Sequence, residues 1–327
     1  MENESVVSGT SIAHPVAGIS RFARYAWGVL VLNLFVIGWG AFVRATGSGA
    51  GCGSHWPSCN GQVIPRPEQV ETIIEFTHRV TSGLALISVA VMLVWAFRAY
   101  PRRHPVRAGA LVSSVFIILE ALLGAGLVLF GLTAENDSIA RAYVMMAHLI
   151  NTLILVAAIS LTAWWATVGP PEGFHARGRL PGLLLLSILA MMVLGASGAI
   201  TALGDTLFPA SSLAEGLRQD FSADAHILLR LRIFHPMIAV ITGLIAAGTA
   251  WLLRRRYAHP RLQKLGGLLI AIFLAQLVLG VINVILLAPV WMQLVHLIVS
   301  ELVWITLILM TAVTLGTVDL LPGAVEN

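Results

Sequence analysis

Eight long apolar stretches, at approximately 26–43, 72–97, 108–130, 140–167, 180–200, 227–252, 265–287 and 290–315, occupy most of this 327-residue chain. Each is close to the roughly 20 residues that a helix needs to cross a bilayer. Hydrocarbon offers nothing to backbone N–H and C=O groups, so such stretches must bond internally as helices. The expected fold class is an all-α integral membrane protein with eight transmembrane helices. Composition agrees: 57% of residues are hydrophobic and 11% charged, against about 25% charged in an ordinary soluble domain. The longest connections, about 44–71 and 201–226, have the size of lids rather than of aqueous domains.

The polar start from Met1 to Ser20 runs into the first span without an Ala-x-Ala type site, so no cleavable signal peptide is expected. Arg21, Arg24, Arg98, Arg102, Arg103, Arg107, Arg177, Arg179, Arg254, Arg255, Arg256, Arg261 and Lys264 fall on one side, 13 of the 20 basic residues. By the positive-inside rule that side is cytoplasmic. Both termini are then on the cytoplasmic face of the cell membrane, and the loops at 44–71, 131–139, 201–226 and 288–289 face out. This bias accounts for the pI near 9.6 without nucleic-acid binding. Arg44, Arg66, Arg79, Arg141, Arg218, Arg230 and Arg232 lie on the disfavoured side. They suit either a ligand carrying carboxylates, which guanidinium pairs bidentately, or lipid headgroups and acidic residues of the same loops.

The spans fall into two similar sets. Glu120-Ala-Leu-Leu-Gly124 in span three corresponds to Gln276-Leu-Val-Leu-Gly280 in span seven, and Ala147-His148-Leu149-Ile150 to Val295-His296-Leu297-Ile298. His78 with Val80-Thr81-Ser82-Gly83 matches His235 with Val240-Ile241-Thr242-Gly243. Four crossings return a chain to its starting side, so two halves, 1–170 and 171–327, are expected as pseudo-symmetric four-helix bundles about an axis along the membrane normal.

His78, His148, His235 and His296 open the four even-numbered spans, which run in the same direction, so their imidazoles lie at similar depth. A single histidine on an apolar helix is most simply a packed core residue. Four in register across a repeat favour a ligand role, two facing imidazoles per half being an arrangement that holds haem iron. Zinc suits them less, since each half lacks third and fourth ligands. His14, His55, His104, His175, His226 and His259 fall in tails, loops or span ends and receive no role. Three residues before His78 stands Glu75, and three before His235 stands Arg232, each on its histidine's helical face. A carboxylate at that depth can exchange a proton with a reacting group, or it can simply pair with Arg79 one turn on. Arg232 can hold a ligand carboxylate. The first half is therefore the candidate for chemistry and the second for cofactor binding.

Cys52 and Cys59 are the two cysteines, in the Gly- and Pro-containing loop Gly51-Cys52-Gly-Ser-His-Trp56-Pro57-Ser-Cys59-Asn-Gly61. Outside the cell they form either a structural disulfide or a redox-active pair.

That loop, Glu75-Phe-Thr-His78-Arg79 and the histidines of spans four, six and eight together resemble the haem A synthase family over about residues 22–316. The resemblance implies oxidation of the C8 methyl of haem O to a formyl group by successive hydroxylations, giving haem A for cytochrome oxidase. It implies that Glu75 is catalytic and that His78 and His148 are axial ligands of the substrate haem O. His235 and His296 would bind the iron of a haem b cofactor, with Cys52 and Cys59 as the loop pair. Arg44, Arg79, Arg230 and Arg232 are candidate propionate contacts. Haem O synthase, cytochrome oxidase assembly factors, membrane lipid and a second copy of the chain are candidate partners. A second cysteine pair found in some relatives is missing from 201–226, and Pro236 after His235 departs from Arg79 after His78. The principal rival is a di-haem b-type electron-transfer cytochrome, which asks for no protonatable group beside one haem. A transporter would ask for matched Gly or Pro breaks at mid-membrane, whereas the spans read as largely uninterrupted.

Overall fold

The computed structural model describes residues 19–66, 69–171, 173 and 179–316; Arg177, His14 and His175 lie outside them. Ten α-helices follow in order: α1 (Arg21–Ala45), α2 (Val70–Ala99), α3 (Pro105–Leu129), α4 (Ile139–Val168), α5 (Leu180–Leu207), α6 (Leu213–Phe221), α7 (Ile227–Arg232), α8 (Phe234–Arg256), α9 (Pro260–Ile285) and α10 (Val290–Gly316). A short 3₁₀ turn occupies Ser48–Ala50. Eight helical segments, with Ile227–Arg256 taken as one, are long and apolar enough to cross a membrane. The eight expected spans therefore all appear. Among the described residues there is no strand.

Local chemistry sets the ends. Ser20, Ser138 and Ser212 accept the N–H groups of Ala23, Arg141 and Glu215 as N-caps, and Pro105 and Pro260 stand first in α3 and α9, where no intrahelical N–H is needed. Most helices extend two to seven residues beyond the apolar stretches, because polar residues continue a helix once its interior is formed.

Two differences from the sequence reading are informative. The connection after span five contains an amphipathic helix, α6, whose Leu213, Leu217 and Phe221 are exposed along one face. Span six is divided between α7 and α8 at Ile233, although Ile233 keeps helical dihedrals. Pro236, four residues beyond Arg232, has no N–H to donate to the Arg232 carbonyl.

Helices α1 to α4 pack in a ring in which α1 meets α2 and α4, and α3 meets α2 and α4. Helices α5, α8, α9 and α10 pack in the same order, α5 against α8 and α10, and α9 against α8 and α10. Contacts of α4 with α5 and α10, and of α1 with α10 and α5, join the two sets. Helices α10 and α4 are the most deeply buried of the spans, so these two form the centre. Trp304 of α10 donates its indole N–H to the Leu153 carbonyl of α4 at 2.7 Å. Leu155, Val156, Ile159, Leu307, Met310 and Val313 fill the surrounding core. The outward faces carry Val31, Phe35, Leu84, Ile87, Leu244 and Val278 in exposed positions, as suits contact with lipid. Apolar lipid supplies little hydrophobic drive between helices, so close approach matters more; a methyl group at Gly243 would lie 2.6 Å from the Phe273 ring.

Candidate functional site

The four histidines are the ninth residue of α2, the tenth of α4, the ninth of the α7–α8 segment and the seventh of α10. They sit in the second or third turn; α2 and α4 begin two residues and one residue before the expected stretches, whereas the helical segments of His235 and His296 begin where expected. All four are half-buried. His78 and His148 are close enough to interact electrostatically, and so are His235 and His296. Among the described residues none of the four Nε2 atoms makes a hydrogen bond.

Each imidazole lies against a glycine of the preceding span. A methyl group at Gly40 of α1 would come within 2.9 Å of His78 Cε1, and one at Gly198 of α5 within 3.2 Å of His235 Cε1. For Gly280 of α9 the distance to His296 Cε1 is 3.3 Å, and for Gly124 of α3 that to His148 Nε2 is 4.0 Å. The helix–helix gap at each histidine is thus as narrow as a ring. Gly124 and Gly280 were visible in the sequence as repeat markers; the use of all four glycines was not.

Cys52 and Cys59 are joined by a disulfide, and the loop they close rests on the start of α2. Glu75 is 3% exposed. Its Oε2 accepts the Cys52 N–H at 2.8 Å, and its Oε1 accepts Arg79 Nη2 at 2.5 Å. Arg79 also donates to the carbonyls of His55 and Ser58, both at 2.6 Å. The pairing of Glu75 with Arg79 is therefore present, and both residues clamp the cysteine loop as well. A methyl at Gly51 would collide with the Glu71 backbone, so only glycine lets the loop approach α2 this closely.

The expected arginines are mostly engaged by the protein itself. Arg44 of α1 donates to Ala202 O and Thr206 Oγ1 of α5, both at 2.5 Å, and to Gln293 Oε1 of α10 at 2.7 Å. Arg232 is not a free carboxylate holder: it pairs with Asp205 at 2.8 Å and Asp220 at 2.6 Å. Its partners lie 27 and 12 residues away, so helical spacing could not reveal them. Arg141 donates to the carbonyls of Ala134 and Asn136. Arg230 is exposed and has no ion pair among the described residues.

Two carboxylates unremarked as site residues accompany the histidines. Glu120 of α3 places Oε1 3.2 Å from His148 Nδ1. Glu301 of α10 is 1% exposed, with Oε2 unpartnered, and lies within electrostatic reach of Glu120. An acidic residue inside an apolar span was the available signal for both.

The described residues thus form an all-helical membrane protein with two pairs of histidines, each ring lying against a glycine of a neighbouring helix. The family model of the COX15-CtaA cytochrome oxidase assembly proteins matches residues 23–308. The chain belongs to that family. It is 52% identical over 265 residues to a protein of Thermus thermophilus named "Protoheme IX farnesyltransferase", a match covering 81% of this chain and 44% of that protein. It is 40% identical over 137 residues to the "Heme A synthase" of Geobacillus kaustophilus, covering 42% of this chain and 41% of the relative. With the "Heme A synthase" of Shouchella clausii the identity is 46% over 98 residues, 30% of this chain and 33% of the relative. The chain thus spans less than half the length of the curated relatives it matches.

Proposed function

We propose that the chain is a haem A synthase, a haem-dependent membrane oxidoreductase that converts the C8 methyl of haem O to a formyl group. The observation that carries this reading is the pair of unlike pockets: each has two imidazoles with unbonded Nε2 atoms, and two positions that bear carboxylates in the first half do not in the second, although Glu301 of α10, matched by Leu153, has its carboxylate in the second half alone. Glu75 and Glu120 there correspond to Arg232 and Gln276 in the second half. A pure electron-transfer cytochrome has no use for a proton-exchanging group such as Glu75 on one histidine helix only. Membership of the family and the names of the relatives support the reading.

The residues fit haem. Free Nε2 atoms can ligate iron, and three of the four Nδ1 atoms, in His78, His148 and His296, are buried without a well-aligned partner. In this reading 1–170 and 171–327 divide the work. His78 and His148 hold the substrate haem O, and His235 and His296 hold a haem b. When bound, the iron supplies the redox chemistry, and the protein supplies orientation and proton handling. Glu75 holds or releases a proton at Oε1 or Oε2 beside the first pair, a step that requires its bonds to Cys52 and Arg79 to loosen. Arg79 and the disulfide keep the loop closed over that end of α2. Arg230 can take a propionate directly, whereas Arg44, Arg79 and Arg232 must exchange a present partner to do so. Both termini are cytoplasmic and the loop is outside, where a disulfide persists. Haem O synthase or oxidase assembly factors are the expected partners, and the Thermus relative's name denotes another protein that handles haem.

The test is haem extraction with mass analysis after co-expression of the full chain with a source of haem O. Wild type yields formyl haem, Glu75→Gln retains haem b without forming it, and His235→Ala or His296→Ala loses haem b while His78→Ala does not. Unchanged haem A production by Glu75→Gln would remove Glu75 from the reaction. Two bound haems and no formyl product in the wild type would favour the electron-transfer cytochrome.

A further inference from the structure

We propose that Glu120 is a positioning residue that makes His148 the strongest electron donor among the four histidines, so that the two haem sites differ in reduction potential by construction. This rests on the reading that His148 ligates a haem through Nε2.

A histidine that ligates through Nε2 carries its proton on Nδ1, and the acceptor of that proton tunes the ring. A carboxylate acceptor makes the imidazole more basic and favours the oxidised metal; a neutral acceptor does so less. The four rings differ in this respect. His148 Nδ1 lies 3.2 Å from Glu120 Oε1, and His235 Nδ1 lies 2.9 Å from the Ser197 hydroxyl. Among the described residues, Nδ1 of His78, His148 and His296 makes no aligned hydrogen bond, and of these three only His148 has a carboxylate oxygen at ion-pair distance.

The carboxylate is held for this contact. Asn151 Nδ2 donates to Glu120 Oε2 and Thr152 Oγ1 to Oε1, each at 2.5 Å. Asn151 is itself steadied by donating to the Phe116 carbonyl at 2.9 Å. Both donors are on α4, three and four residues after His148, on its face of the helix. They draw the α3 side chain onto that face, 3.2 Å from the ring nitrogen.

The second half lacks the whole unit. Gln276 stands for Glu120, Val299 for Asn151 and Ser300 for Thr152. Gln276 donates Nε2 to the His296 backbone carbonyl at 2.9 Å, and Ser300 turns to Leu297 O. Among the described residues, therefore, no anion is paired with His296. The anion-backed ligand belongs to the half proposed to react, and the neutral-backed one to the half proposed to hold its haem.

The test is spectroelectrochemical titration of the full-length chain loaded with protohaem. In Glu120→Gln, one of the two potentials should rise by at least tenfold in the one-electron equilibrium, about 59 mV, with haem stoichiometry kept and the other potential unmoved. His148→Ala should remove that same component. The reciprocal Gln276→Glu should lower the other potential, and Thr152→Val, which keeps the charge and removes one anchor, should shift the first by less than Glu120→Gln does. Unmoved potentials in a haem-replete Glu120→Gln protein would overturn the inference. If that variant does not assemble, an unmoved potential in Gln276→Glu overturns it instead. Full haem retention by His148→Ala would overturn the ligand assignment beneath it, an outcome distinct from either.

Discussion

The backbone N–H of Cys52 donates to Glu75 Oε2 at 2.8 Å, so the carboxylate nearest in sequence to His78 also anchors the disulfide loop. Arg79 completes the arrangement by holding Glu75 Oε1 and two loop carbonyls. Loop closure and the Glu75–Arg79 pair are thereby coupled: without the Glu75 side chain both Arg79 and the Cys52 N–H lose an acceptor.

Stability should report this coupling directly. Breaking a buried ion pair by removing one partner costs about 3 kcal/mol, more than replacing it by a shape-matched neutral group. Glu75→Ala should therefore melt well below the wild type in detergent, with Glu75→Gln between them, because Gln can still accept the Cys52 N–H. Equal melting temperatures for Glu75→Ala and wild type would show that the clamp contributes nothing.

The disulfide should be a staple rather than an essential reagent. A loop of this length gains about 2.5 kcal/mol from closure in the chain-entropy estimate, and the Glu75 and Arg79 bonds hold it independently. The double variant Cys52→Ser with Cys59→Ser should lose thermal stability while keeping haem at both sites, measured by pyridine haemochrome. Formyl haem production falling to zero with haem content intact would instead assign the pair a redox role.

The glycines beneath the histidines give a matched comparison. Gly40→Ala places a methyl 2.9 Å from His78 Cε1, whereas Gly83 has open space around its Cα. Gly40→Ala should displace the ring and reduce haem occupancy of the first site severalfold, and Gly83→Ala should leave it unchanged. Haem titration of the two purified proteins decides the matter; equal occupancy would show that the ring moves freely.

Arg44 ties α1 to α5 and α10 through three acceptors. Charge-assisted bonds of this kind contribute about 1.5–3 kcal/mol each, so Arg44→Leu should lower the melting temperature by several degrees and expose the α1–α10 contact to proteolysis. Arg232→Gln should also destabilise, by leaving Asp205 and Asp220 facing one another, and Asp205→Asn in that background should recover part of the loss. Absence of any recovery would separate the two aspartates from the effect.

The spans were readable because one requirement, satisfying the backbone in hydrocarbon, acts on every residue of a segment at once. The in-register histidines were readable for a related reason, since helices of similar length and direction place like positions at like depth. Glu75 with Arg79 was readable from i,i+4 spacing, and the structure adds Cys52 as a third member. Glu120 with His148, Arg232 with Asp205 and Asp220, and Gly40 with His78 were not, because each joins different helices and no spacing along the chain encodes which faces meet. The split of span six at Ile233 had its cause in plain view at Pro236, but span six still forms one crossing because Ile233 keeps helical dihedrals.

The sequence by itself determined the number of crossings, the helical class and the identity of the four histidines, because bilayer thickness and the cost of buried polarity are local constraints. Tertiary structure alone decided which groups stand behind those histidines: Glu120 beside His148, Ser197 beside His235, and glycine seats beneath all four. These depend on how α1, α3, α5 and α9 rotate about their axes when they pack, and packing of whole helix faces sets that rotation.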